Sequence, residues 1–243
     1  MDLHELKSSG WRARIGVIVP SSNTTNEVEF NRLAPDGVSF HFTRSHIHRN
    51  PSADGFKSML SDLESSARQL ADCNVDMMVY GCTSGSMACP ANLLIKTMEE
   101  SGKSKAISTA EAILKALDVL NAKRLSMATP YSDSINTHEK AYLESRGLQI
   151  VKMAGMQLSG QISKVSRVPP SKVYDHALSV NCKTNEAILI CCTDFGTLDV
   201  IEPLENTTGK PVITSNTASF WHALRTAGIN DRIKGYGQLL RNF

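Results

Sequence analysis

The sequence predicts an α/β fold built from two similar halves, and three observations carry that reading. Short apolar runs rich in β-branched residues alternate with stretches of helical periodicity, the pattern of βα units that form a parallel sheet. Arg14 to Asn23 (RIGVIVPSSN) and Arg124 to Asp133 (RLSMATPYSD), 110 residues apart, both read as a strand ending in proline and then a small polar turn. The same offset lays VDMMVYGCTSGSM onto NEAILICCTDFGTL, placing Asp76 on Glu186, Cys82 on Cys192 and Thr83 on Thr193.

In chain order the strands are Arg14 to Pro20 (RIGVIVP), Val38 to Ile47, Val75 to Tyr80 (VDMMVY), Ala106 to Thr109, Arg124 to Pro130, Gln149 to Met156, Ala187 to Cys191 (AILIC) and Pro211 to Thr214. Their shortness and β-branched content argue for strand over helix. Between them Phe56 to Ala71 (FKSMLSDLESSARQLA) and Ser134 to Arg146 repeat with helical spacing. Ser171 to Val180 follows the start signal Pro169-Pro170. The repeat divides the 243 residues into an N-terminal half, 1–115, and a C-terminal half, 116–218. Their join falls inside a helix from Ala110 to Leu120, and a final helix over 219–243 is expected to pack back on the first half.

Composition narrows the function classes. No apolar run approaches the roughly 18 residues that span a bilayer, so a membrane protein is not expected. A net charge of +2 and a pI near 8.2, with no Lys/Arg block, argue against nucleic acid as a partner. The start, MDLHELKSSGWRARIG, lacks the basic-then-apolar order of a secretory signal. A cytoplasmic location is therefore expected, where thiols stay reduced. The six cysteines form no disulfide framework and contain no CxxC pair. Without GxGxxG, a Walker loop, HExxH or GxSxG, nothing in the sequence points to nucleotide, metal or serine-hydrolase chemistry, and no cofactor is expected.

In parallel sheets ligands bind beyond the carboxyl ends of the strands, where helix N-termini attract anions. Cys82, in Gly81-Cys82-Thr83-Ser84-Gly85-Ser86, and Cys192 both fall there. A single cysteine is most often core, but two at the same place in a repeat point to reactive thiols, and the first turn of a helix predicts thiolate character for Cys82. Cys73, Cys89, Cys182 and Cys191 lack that support, and Cys191 should face away from Cys192. The turn Pro20-Ser21-Ser22-Asn23-Thr24-Thr25 offers neutral donors to a carboxylate, or else an ordinary helix cap. Tyr131 occupies the matching turn of the second half. Among the histidines, His41, His46 and His48 have no acidic cluster to match, and His222, in FWHALR, reads as packing.

The segments RIGVIVPSSNTTNE, VYGCTSGS, ATPY and CTDFGTLDVIEPLENTTGKPVITSNTASFWHALR are similar to those of maleate cis-trans isomerases and arylmalonate decarboxylases, within the aspartate/glutamate/hydantoin racemase superfamily. The resemblance runs nearly end to end. It implies two flavodoxin-like halves related by a pseudo-twofold axis, with a small carboxylate sealed between them. Asn23, Cys82, Tyr131 and Cys192 match active-site positions, and Ser21, Ser22, Thr83, Ser84, Thr193 and Asn216 complete the expected substrate-binding set. Decarboxylases of this group keep only the second-half cysteine, so the presence of both favours isomerase or racemase chemistry. In the isomerase reading Cys82 adds to an alkene carbon so that the former double bond can rotate, Cys192 handles the neighbouring proton, and no cofactor takes part. The alternatives are a cofactor-independent racemase, an arylmalonate-type decarboxylase, and a catalytically silent carboxylate-binding protein. A homo-oligomer, dimer or tetramer, is implied as well. Two departures stand out. The loop Gln157 to Val168 lacks the asparagine the isomerases carry there, leaving Gln161 or Ser163 as replacements. Asp194, two residues after Cys192, must point away from an anionic substrate or meet a substrate amine.

Overall fold

The computed structural model describes residues 7–47 and 53–243, so the start of the chain and His48 lie outside the described residues. The first half runs β1 (Ala13–Pro20), α1 (Asn26–Leu33), β2 (Val38–Ser45), α2 (Ala53–Asp72), β3 (Met77–Tyr80), α3 (Thr83–Ala88), α4 (Ala91–Gly102), β4 (Lys105–Ser108) and α5 (Thr109–Val119). The second runs β5 (Arg124–Thr129), α6 (Asp133–Glu144), β6 (Gln149–Gly155), α7 (Ile162–Val165), α8 (Pro170–Val180), β7 (Ala187–Ile190), α9 (Leu198–Thr208) and β8 (Val212–Thr214), followed by α10 (Ser215–Thr226) and α11 (Gly237–Asn242). All eight expected strands form. Among the described residues no helix is long and apolar enough to cross a membrane.

The strands build two four-stranded parallel sheets with the same order, β2-β1-β3-β4 and β6-β5-β7-β8. Ile15 lies opposite Phe40 on one side and Met77 on the other, and Leu125 opposite Ile150 and Ala187. The central strands β1, β3 and β7 are buried almost throughout, which is why they read as unbroken apolar runs. In each half the chain leaves its first strand toward one edge and returns on the other side. The loops after β1 and β3, and after β5 and β7, therefore diverge over a crevice at the carboxyl ends. That topology places the turn carrying Asn23 beside the loop of Cys82, and Tyr131 beside Cys192.

The last long helix departs from the sequence expectation at both ends. It starts at Ser215 rather than Ser219 because Thr214 and Thr217 form a reciprocal capping box. It stops at Thr226, where Gly228 turns the chain left-handed with φ +76°, and α11 follows as a separate short helix. α10 lies against α5, whose Ala110, Ala112, Ile113, Ala116 and Leu117 are buried. Its Phe220 meets Phe30 of α1 edge-on, ring centroids 5.4 Å apart, and Phe40 of β2 at 5.4 Å. Burying a phenylalanine stabilises a fold by about 1.5–3 kcal/mol, so this contact is a substantial tie between α10 and the first half. The second expected strand, Val38 to Ile47, ends at Ser45, and His46 and Ile47 leave the sheet to line the cavity described next.

Candidate active site

A cavity of about 740 Å³ lies between the carboxyl ends of the two sheets. Of the residues expected from sequence, Ser22, Asn23, Cys82, Thr83, Ser84, Tyr131, Cys192 and Thr193 line it. Ser21 and Asn216 do not. Ser21 is exposed, its backbone N–H donating to the Ser45 carbonyl at 2.8 Å as the turn leaves β1. Asn216 is buried under the Thr193 loop, where its amide donates to the Glu29 carboxylate at 2.6 Å and to the Thr193 carbonyl at 3.1 Å.

Cys82 caps α3, and its Sγ accepts the Gly85 N–H at 3.4 Å. The Tyr80 phenol, which donates to Met59 Sδ at 3.9 Å, and the Ser84 hydroxyl stand near the sulfur and favour its anion. Tyr80 stands two residues before Cys82, on the same side of the strand end, and sequence reasoning missed it because it closes an apolar run. Cys192 sits at the equivalent place after β7. Its backbone is left-handed, φ +103°, a conformation rare for a residue with a Cβ and a form of strain concentrated at functional sites. The Tyr131 phenol and the Asp194 N–H stand near its sulfur and favour its anion. Each thiol thus has its own tyrosine, from β3 for Cys82 and from the turn after β5 for Cys192.

Burial raises both thiols, which overturns the sequence expectation of a lowered Cys82. Desolvation of a buried ion can move a pKa by 3–5 units, whereas a helix terminus contributes about 0.3–1 kcal/mol, less than one unit. α3 has only six residues. The two sites are nevertheless unequal. Against burial, Cys82 has the Gly85 N–H and the nearby hydroxyls of Tyr80 and Ser84, with one opposing charge, Glu139. Cys192 has the nearby Tyr131 phenol and Asp194 N–H, is opposed by the charges of Asp194 and Cys82, and is pushed up to about 12. An anion is therefore better supported on Cys82, and Cys192 keeps its proton.

The loops that carry the thiols are cross-braced. Ser215 Oγ accepts both the Thr83 hydroxyl, at 2.8 Å, and the Cys192 N–H, at 3.1 Å. Thr193 donates its hydroxyl to the Gly81 carbonyl at 2.9 Å and accepts from Asn23 Nδ2 at 3.0 Å. The hydroxyl protons of Thr83 and Thr193 are thus spent within the protein. Asn23 is both a cap and a bridge, because its Oδ1 accepts the Thr25 and Asn26 N–H groups, and its second amide proton remains for the cavity. In the loop 157–168 it is Ser159 that lines the cavity, while Gln161 and Ser163 are exposed. Ser159 Oγ accepts the Ser132 N–H at 2.7 Å, leaving its own proton to donate. Asp194 turns one carboxylate oxygen to the first half, where it accepts the Thr24 N–H at 2.7 Å, while its other oxygen has no hydrogen-bond partner among the described residues and the residue lines the cavity.

The remaining cysteines and histidines stand apart from this pair. Cys191 is buried beside Glu139. His222 stacks on Trp221 and lies 3.8 Å from Glu111. His46 pairs with Asp62 at 3.3 Å, a carboxylate that the sequence had not brought to it, and His46 and the exposed His138 stand at the cavity rim.

The chain is similar to known proteins along nearly its whole length. The chain is 29% identical over 241 residues to a maleate isomerase of Nocardia farcinica, covering 94% of this chain and 95% of that one. It is 27% identical over 233 residues to an arylmalonate decarboxylase of Bordetella bronchiseptica, covering 93% and 95%. The solved structure of a Cys-to-Ser mutant of the Nocardia farcinica maleate cis-trans isomerase, with a covalently bound succinylcysteine intermediate, superposes with a TM-score of 0.86 at 29% identity, covering 95% of this chain and 99% of that one. The arylmalonate decarboxylase family model matches residues 15–240, and the chain belongs to that family.

Proposed function

We propose that the chain is a cofactor-independent cis-trans isomerase of maleate or a closely related small dicarboxylate. The observation that carries this reading is a pair of unequal thiols facing one cavity, Cys82 better able to hold a negative charge and Cys192 held as the acid. The Cys82 thiolate adds to one alkene carbon, the S–C bond forming as the π bond breaks. The electron pair moves onto the adjacent carbon and its carboxylate, and that carbon takes the Cys192 proton. The former double bond is then single and rotates. Cys192 takes the proton back, the double bond re-forms and the Cys82 thiolate leaves with its electron pair. Every group in this sequence belongs to the chain or the substrate. The second Asn23 amide proton, Ser22 and Ser84 serve one carboxylate, and Ser159 serves the other in place of the family asparagine. The fit to the solved succinylcysteine relative supports the covalent step.

Wild-type enzyme incubated with maleate in deuterated water should yield fumarate by NMR, and mass spectrometry should find an adduct of substrate mass on Cys82. Carbon dioxide loss from an aryl-substituted malonate without any isomerisation would instead establish the decarboxylase reading, which the Bordetella bronchiseptica relative keeps in view. Gly85→Ala gives a finer test. A Cβ at Gly85 would stand 2.6 Å from the Tyr80 hydroxyl and 2.9 Å from Cys82 Sγ, so one of them must move. We expect kcat to fall by roughly 10- to 100-fold with stability changed by about 1 kcal/mol or less, read by steady-state kinetics beside thermal unfolding.

The same reading treats residues 1–115 and 116–218 as the two halves, with the segment from 219 returning to the first, supported by the Phe220 contacts. It places the protein in the cytoplasm, supported by six unpaired cysteines, and as a homo-oligomer, supported by the family resemblance.

A further inference from the structure

The repeat extends to a pair of buried acids whose surroundings differ sharply. At the same 110-residue offset Asn26, Glu29 and Leu33 of α1 fall on Asn136, Glu139 and Leu143 of α6. Glu29 is fully engaged across the interface, accepting the Thr197 and Leu198 N–H groups at 2.5 and 3.0 Å and the Asn216 amide at 2.6 Å. Glu139 is wholly buried, and neither of its oxygens has a conventional hydrogen-bond partner among the described residues. The difference lies in what each helix meets. α1 meets the open backbone N–H groups at the start of α9, whereas α6 packs against α3, which presents no such donors to Glu139. An acid whose structural partners are missing is a poor staple, and its position recommends another role.

α6 packs against α3, whose cap is Cys82, and its Ile135 and His138 line the cavity, so three groups in or beside the site lie within electrostatic reach of Glu139: Cys191 from the end of β7, Cys82, and Tyr131 from the turn after β5. None is cationic. β6, which also packs against α6, carries only the exposed Lys152. On α6 itself Lys140 pairs with Glu144, and His138 is exposed at the cavity rim. With no positive charge to offset it, a carboxylate here would oppose a negative charge on Cys82 through a medium of low polarity.

We infer that Glu139 is a positioning residue for the thiol pair: as the neutral acid it leaves Cys82 free to become a thiolate, and as the carboxylate it disfavours that thiolate. This rests on Cys82 as the nucleophile of the proposed reaction. The electrostatics agree in sign, because burial pushes the Glu139 carboxyl up to about 8 and its charge raises Cys82 and Tyr131. Below that pH the proton stays on and Glu139 does not oppose catalysis. Above it, a buried negative charge stands against the thiolate just where rising pH would otherwise favour it. Only proton transfer to solvent is involved: Glu139 gives up its proton, and Cys82 then gives up its own less readily.

The test needs no substrate, so its failure is separable from failure of the isomerase reading. The rate of Cys82 alkylation by iodoacetamide is followed by peptide mass spectrometry between about pH 6 and pH 10 in wild type and in Glu139→Gln. The variant should react roughly three-fold faster at pH 9, and the flattening of the wild-type profile above pH 8 should disappear. Superimposable profiles in a folded variant would overturn the inference. Should Glu139→Gln fail to fold, the wild-type profile decides the matter: Cys82 alkylation that flattens above about pH 8 supports the inference, and alkylation that follows a single thiol titration through about pH 10 rejects it.

Discussion

Cys82→Ser should lower kcat/KM for maleate by about four orders of magnitude or more, because a serine hydroxyl at this site cannot be ionised to a useful extent and adds to an alkene far less readily than a thiolate. The loss should be chemical rather than structural. The Gly85 N–H that caps the sulfur at 3.4 Å can cap a hydroxyl oxygen equally well, and Thr83 stays tied to Ser215, so unfolding should shift by about 1 kcal/mol or less. Cys192→Ser should behave differently, since Cys82 can still add to the alkene while the partner that returns and removes the proton is impaired. A covalent adduct on Cys82 should then accumulate and be visible by intact-mass spectrometry. Full turnover in Cys82→Ser would reject covalent catalysis at this position.

The contrast between these two cysteines was only partly legible in the sequence. Their placement was legible, because it follows from a short-range pattern: a buried apolar run, then a small polar loop, repeated 110 residues later. Strand ends in a parallel sheet converge on a crevice whatever the loop lengths, so eight strands and one duplicated loop suffice to locate the site. Their electrostatics were not legible. The helix-terminus argument predicted a lowered Cys82, but burial acts on a larger scale and only the packed structure reveals it. Tyr80 was hidden because a tyrosine at a strand end looks like any other core aromatic. Asn216 and Ser21 were drawn into the expected site by their neighbours in sequence, although one serves the interface beneath the cavity and the other faces solvent. In the loop 157–168 the identity of the polar residue that reaches the cavity depended on the left-handed turn at Gln157, φ +60°, which brings Ser159 inward and leaves Gln161 and Ser163 outside.

Glu29→Ala should cost about 3–5 kcal/mol of stability, because it orphans four buried donors at once, the Thr197 hydroxyl at 3.4 Å among them. The Thr197 and Leu198 N–H groups at the start of α9 and the amide of Asn216 all end on this one carboxylate, which α1 of the first half extends into the second. For a chain of this length such a loss corresponds to a fall of roughly 8–15 °C in Tm. Activity should fall as well, because Asn216 also holds the Thr193 carbonyl and Thr193 joins Asn23 to the Gly81 carbonyl beside Cys82. Loosening one end of that chain misplaces both thiol loops. Burial raises the Glu29 carboxyl, and its hydrogen bonds pull it back, so ionising it in the folded protein is harder than in the unfolded chain. The variant's deficit should therefore be greatest at low pH and narrow as pH rises through the folded pKa. A Glu29→Gln variant should recover part of the loss, since its amide oxygen can accept one N–H while its amide nitrogen confronts the remaining donors. Urea unfolding of the three proteins at two pH values measures the series. A Glu29→Ala protein as stable as wild type would show that the other polar bonds between the halves, such as Thr24 to Asp194 and Thr193 to the Gly81 carbonyl, hold them together without this carboxylate.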